Sequence, residues 1–251
     1  MINLIRAEFT KLATTRLIYG VTAAMAAFGV LTVVVNVTIA GQQGNPPLSA
    51  DSFAMFVAAP TTHPLLAGAA LLLGILGMTG EFRHHTVTQT FLVSPDRGRV
   101  VAAKLVAYPL AGIALALATL AVTAAVAAGW LAAKGITPSL LDARLGRVVG
   151  VALLGAALCG LVGVGVAALV RNQVAALVGV AVWVLVVEGL LLSLLNAPSL
   201  GKWLPSAAAQ AALGSPGGAQ LSRLGGTLLL AAYALAFALA GTRLVVRRDI
   251  T

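Results

Sequence analysis

Apolar residues come in runs about twenty long, separated by short polar segments. They do not recur at the period of 2 or 3.6 that marks half-buried strands or surface helices. A run of that length is what an α-helix needs to cross a hydrocarbon core of about 30 Å. Six such runs predict spans at about residues 17–40, 64–80, 104–133, 147–170, 174–195 and 225–244. The first closes at Gly41, before a polar stretch with Asn45, Pro46 and Pro47. The third leaves room for a tilt or kink at Pro109. Between spans lie a mixed-charge loop at 134–146, a tight turn at Arg171-Asn172-Gln173 and a long loop at 196–224. The expected fold is all-α: a polytopic membrane bundle of six transmembrane helices, forming one domain over residues 1–251.

Ahead of the first run, Ile2, Ile5, Phe9 and Leu12 recur at three- and four-residue steps, with Arg6 and Lys11 between them. That pattern predicts a short amphipathic helix in the membrane interface; an ordinary solvated tail is the alternative. The apolar run after it is long enough to span, and no cleavable signal peptide is expected.

Composition supports the membrane reading, with 60% apolar residues and 9% charged. A soluble domain carries about 25% charged residues, because its surface faces water. The net charge of +9 would point to nucleic acid in a soluble chain. Here the basic residues flank apolar runs without interleaved aromatics, so they indicate orientation and contact with anionic headgroups, and no nucleic-acid partner. Six spans place both termini on one side. That side holds eleven of the sixteen Lys and Arg, and the opposite loop 41–63 holds none. The expected orientation is N-in and C-in.

Small residues recur every four positions at Gly146/Gly150, Ala152/Ala156/Gly160 and Ala232/Ala236/Ala240. Such faces let helices approach closely and predict a packed bundle with contacts between subunits. Cys159 reads as a small buried hydrophobe. Asn36 reads as a contact between helices rather than a ligand.

Motifs for autonomous chemistry are missing. There is no phosphate-cradling G-x-x-x-x-G-K-[ST], no H-E-x-x-H and no G-x-S-x-G. His63, His84 and His85 do not make a zinc set, so no metal site is expected. Gly163, Gly165 and Ala168 imitate a dinucleotide fingerprint but lie inside a span with no preceding strand, which makes them packing residues. The chain is not expected to be an enzyme.

The most polar internal segment joins the second and third spans. Glu81 and Arg83 stand where the second span leaves the membrane. Phe82, Val87 and Phe91 form a candidate interfacial face, and Ser94-Pro95-Asp96-Arg97 reads as a turn. Arg97, Arg99 and Lys104 mark the return into the membrane. A plain loop whose charges only hold orientation is the competing reading.

This segment resembles the membrane-spanning permeases of type-2, exporter-class ABC transporters. The resemblance rests on E-[FY]-R-x-x-T (Glu81, Phe82, Arg83, Thr86), then S-P-x-R (Ser94, Pro95, Arg97), then Lys104. It extends to the N-terminal R-x-E-x-x-K (Arg6, Glu8, Lys11) with Arg16, and to Trp203-Leu204-Pro205 in the last outer loop. His85 departs from the Gly such sequences often carry there. The resemblance implies a bacterial plasma-membrane permease in which two copies form the pathway. A separate ATPase subunit, which binds ATP and Mg, would dock from the cytoplasm; this chain would bind no cofactor. Residues 1–16 would be an elbow helix carrying Arg6, Glu8, Lys11 and Arg16. The segment from Glu81 to Arg97 would be the coupling helix, and 196–224 would dip partly into the outer leaflet. An ion-gradient-driven secondary transporter and a non-transporting membrane anchor are the alternatives.

Glu188 is the one acidic residue well inside a span, and burying it there costs about 2.5–3.5 kcal/mol on insertion scales. It is either a pathway group attracting a cation or a hydrogen-bonded structural contact near the outer end of the fifth span.

Overall fold

The computed structural model describes residues 1–42, 45–61, 63–83, 96–139, 143–195, 198–213 and 221–247. Every regular element among them is helical. A short α1 (Ile2–Thr14) precedes α2 (Arg16–Ile39), α3 (Ser52–Ala58), α4 (Pro64–Arg83), α5 (Arg97–Ala133) and α6 (Ala143–Val170). Next come α7 (Gln173–Val182), a π-helical turn (Trp183–Val187), α8 (Glu188–Leu195), α9 (Pro198–Gly201), α10 (Pro205–Leu213) and α11 (Arg223–Arg247). Among the described residues, six helical stretches are long and apolar enough to cross a membrane: Arg16–Ile39, Pro64–Glu81, Gly98–Ala133, Ala143–Val170, Gln173–Leu194 and Arg223–Leu244. The chain is a multi-pass helical membrane bundle.

The second and fourth spans form its centre, with 50% and 56% of their apolar windows buried, whereas the fifth, at 11%, lies on the periphery. Close backbone approach makes that centre. A Cβ on Gly74 of α4 would strike the Gly160 carbonyl of α6, and one on Gly163 would strike the Leu71 carbonyl of α4. On another face of α6, Gly165 meets Phe237 of α11, and Ala168 meets Gly241. The glycines of the 163–168 stretch therefore sit at two helix crossings, the packing role expected of them. Of the three small-residue rows, Ala152/Ala156/Gly160 is buried in the core. Gly146 and Gly150 face open space, and Ala232, Ala236 and Ala240 are exposed.

Several features refine the sequence expectation. Helix α5 begins at Arg97, well ahead of Lys104, because Asp96 caps it by accepting from the Arg99 N–H at 3.2 Å. Likewise α6 begins at Ala143 rather than Arg147. Hydropathy marks where a span meets polar surroundings, whereas a helix continues for as long as its backbone is satisfied. The loop at 41–63 contains α3, whose Phe53, Phe56 and Val57 are buried in the bundle. In the 196–224 loop, α10 buries Ala208, Ala211 and Ala212, and Gly226 of α11 lets it approach closely. Asn36 also differs: its side-chain amide donates to the Thr32 carbonyl of its own helix at 2.7 Å.

Candidate functional site

Helix α1 meets the bundle with a face that sets a carboxylate beside an apolar residue. Its buried residues are Glu8 and Leu12, while Ile2 is 81% exposed. A carboxylate is buried only where partners satisfy it, and Glu8 finds two lysines. Its Oε2 accepts from Lys104 Nζ at 2.7 Å and its Oε1 from Lys11 Nζ at 2.7 Å. Glu81, near the end of α4, joins the same lysines: its Oε1 accepts from Lys11 at 2.5 Å and from Lys104 at 3.0 Å. Two carboxylates and two ammonium groups thus make a neutral knot linking α1, α4 and α5.

Lys104 is the centre of the knot, 1% exposed. An ammonium has three N–H donors, and its partners are Glu8, Glu81 and the Gly77 carbonyl at 3.2 Å. Tyr108 closes the far side, its hydroxyl 3.5 Å from Glu8 Oε2 and its ring 5.8 Å from Lys104 Nζ. A side chain on Gly77 would run into that ring. Lys11, by contrast, is half-exposed. Partial burial opposes its charge, but its hydrogen bonds to Glu8 and Glu81 and their negative charge outweigh this, raising its pKa above the ordinary 10.5.

The knot brings together Glu8, Lys11 and Glu81, with Lys104 among them. Arg6 and Arg16 are exposed outside it. Arg83 is exposed too and donates to the Gln173 side chain at 3.4 Å, linking the end of α4 to the first residue of α7. Phe82 lies in the last turn of α4, and Arg97 is the first residue of α5. Thr86, Ser94 and Pro95, with His84, His85, Val87 and Phe91, lie outside the described residues.

Two members of the site had no motif to mark them, Gly77 and Tyr108. A signal for both exists in helical spacing. Gly77 is four residues before Glu81 and Tyr108 four after Lys104, so each shares a helix face with the charge it supports.

Glu188 lies elsewhere and is 4% exposed. Its Oε1 accepts from the Ser206 N–H at 3.4 Å and its Oε2 from the Ser206 hydroxyl. The carboxylate therefore satisfies the first turn of α10, where helix N–H groups lack internal partners. Ser206 also lines an apolar cavity of about 430 Å³ between α4, α6, α7, α10 and α11.

No protein-family model matches the chain, and no curated protein matches it.

Proposed function

We propose that the chain is the permease subunit of a type-2 ABC exporter in a bacterial plasma membrane. Two copies form the pathway, both termini face the cytoplasm, and a separate ATPase supplies ATP hydrolysis with Mg. The observation that carries this reading is the knot of Glu8, Lys11, Glu81 and Lys104. Glu81 ends the membrane window of α4, and Lys104 lies two turns into α5. The polar segment joining those helices is the proposed docking point for the ATPase. Ion pairs across its two roots let a push on the segment move α4 and α5 together as a rigid unit, and Glu8 and Lys11 carry α1 with them.

The same charges bear on the secondary-transporter reading, which calls for ionisable groups near mid-membrane. Lys104 lies seven residues from the start of α5, about 10 Å along the helix, and both carboxylates are paired. The knot suits a joint at the membrane boundary better than an ion-binding site.

The test is co-purification of the tagged chain from its native membrane, followed by ATPase assays of the complex. A stoichiometric ATPase of separate sequence is expected. Glu81→Gln should leave insertion unchanged and reduce stimulation of hydrolysis about fivefold or more, the usual size of coupling between sites. Unchanged stimulation, or substrate flux sustained by a proton gradient without any ATPase, rules the reading out.

A further inference from the structure

Beside the knot opens a groove of about 650 Å³, bounded by the α1–α2 junction, α4 and the start of α7. Its volume lies within the range of about 300–1,000 Å³ common for ligand sites. Leu73 and Leu76 of α4 and Ile18 of α2 give it an apolar floor, while Lys11 and Arg83 give it a basic, exposed mouth. The floor residues lie within the apolar windows of α2 and α4, whereas Lys11 and Arg83 lie just beyond their ends.

The charge balance favours one anion. Glu81 also lines the groove, but both lysines hold its Oε1. Counting Glu8 and Glu81 against Lys11, Lys104 and Arg83 leaves one positive charge, and it resides on Arg83. The partner of Arg83 among the described residues is the neutral Gln173 amide. Lys11 uses two of its three N–H donors on Glu8 and Glu81, so one remains for a ligand. A guanidinium beside a spare ammonium N–H suits a phosphate group. The apolar floor, in turn, disfavours a small hydrophilic anion and suits a ligand with a tail.

We propose that this groove holds one anionic phospholipid from the leaflet nearest the chain termini, its phosphate at Arg83 and Lys11 and an acyl chain along Leu76 and Ile18. The partner is the membrane itself, and the role does not depend on the transport reading.

Native mass spectrometry of the delipidated, purified chain tests it, with added phosphatidylglycerol, phosphatidylcholine or soluble glycerol phosphate. One phosphatidylglycerol per chain should bind at least about fivefold more tightly than phosphatidylcholine, the gain expected from one basic residue near an anionic surface. Arg83→Gln should remove that preference, and Lys202→Gln, in the loop before the sixth span, should not. Leu76→Trp keeps every charge and fills the floor, so it should displace the lipid; Ile18→Trp provides a second plug should the first fail to fold. Equal binding of the two lipids overturns the proposal, as does glycerol phosphate matching phosphatidylglycerol. Lipid binding that survives a folded plug variant also overturns it, leaving only diffuse surface attraction. No ATPase enters the measurement, so failure here leaves the transport reading standing.

Discussion

At the residue scale, Lys104 is the side chain on which the candidate site depends. Burying it beside Glu8 and Glu81 removes three charges from water, and their mutual attraction only roughly offsets the desolvation. Such a knot is weak support for stability while intact and a large liability once broken. Lys104→Met leaves two buried carboxylates sharing the half-exposed Lys11, and it should destabilise the chain by about 3–5 kcal/mol. The triple variant Glu8→Gln, Glu81→Gln, Lys104→Met removes every buried charge of the knot together and should recover most of that loss. Thermal unfolding in one detergent, comparing the single and triple variants, measures both. A triple variant no more stable than Lys104→Met means that the pairing itself supplies stability. A stable triple variant that no longer stimulates an ATPase assigns the charges to mechanical linkage.

At the scale of elements, the six spans were legible because lipid offers the backbone no partners. A long apolar helix satisfies that constraint within one segment, and hydropathy reads it directly. Helix ends were less legible: Asp96 caps α5 outside the apolar run, and α3 is too short to register as a span although Phe53, Phe56 and Val57 have helical spacing. The site was half legible. Glu8, Lys11, Glu81 and Lys104 could be picked out one by one, but not that the first and last, 96 residues apart, would share a hydrogen bond. Periodicity located the apolar side of α1 but could not tell that a buried carboxylate, Glu8, would find lysines. The docking of α1 has a pH signature. Its Lys11 pKa is raised on docking, so the stabilisation is fully present below about pH 10.5 and fades as pH climbs through the higher docked value. A spin label at position 5 should stay immobilised from neutral pH to about 10 and gain mobility above about 10.5. Mobility already high at neutral pH means that α1 is not held by the knot.

For the whole molecule, the proposed permease role turns on which side each end occupies, because ATP is available on one side only. Six spans put both termini on one side whatever the orientation, and the knot ties α1 to the ends of α4 and α5 on that side. The proposed orientation rests on the distribution of basic residues. Eleven of sixteen Lys and Arg flank the spans there, while residues 41–63 carry none, and the positive-inside rule predicts that the richer side is cytoplasmic. Cysteine accessibility tests this with little background, since the single native thiol, Cys159, is buried in the core. Cysteines at Asp51 and Lys202 should react with a membrane-impermeant maleimide in intact cells. Cysteines at Asn3 and Asn172 should react only after permeabilisation. The reverse pattern would place the knot and the polar segment after Glu81 outside the cell, where no ATPase could drive them, and the permease reading would fall with it. Labelling of all four positions in intact cells would mean mixed insertion, and the basic excess would then not be what orients the bundle.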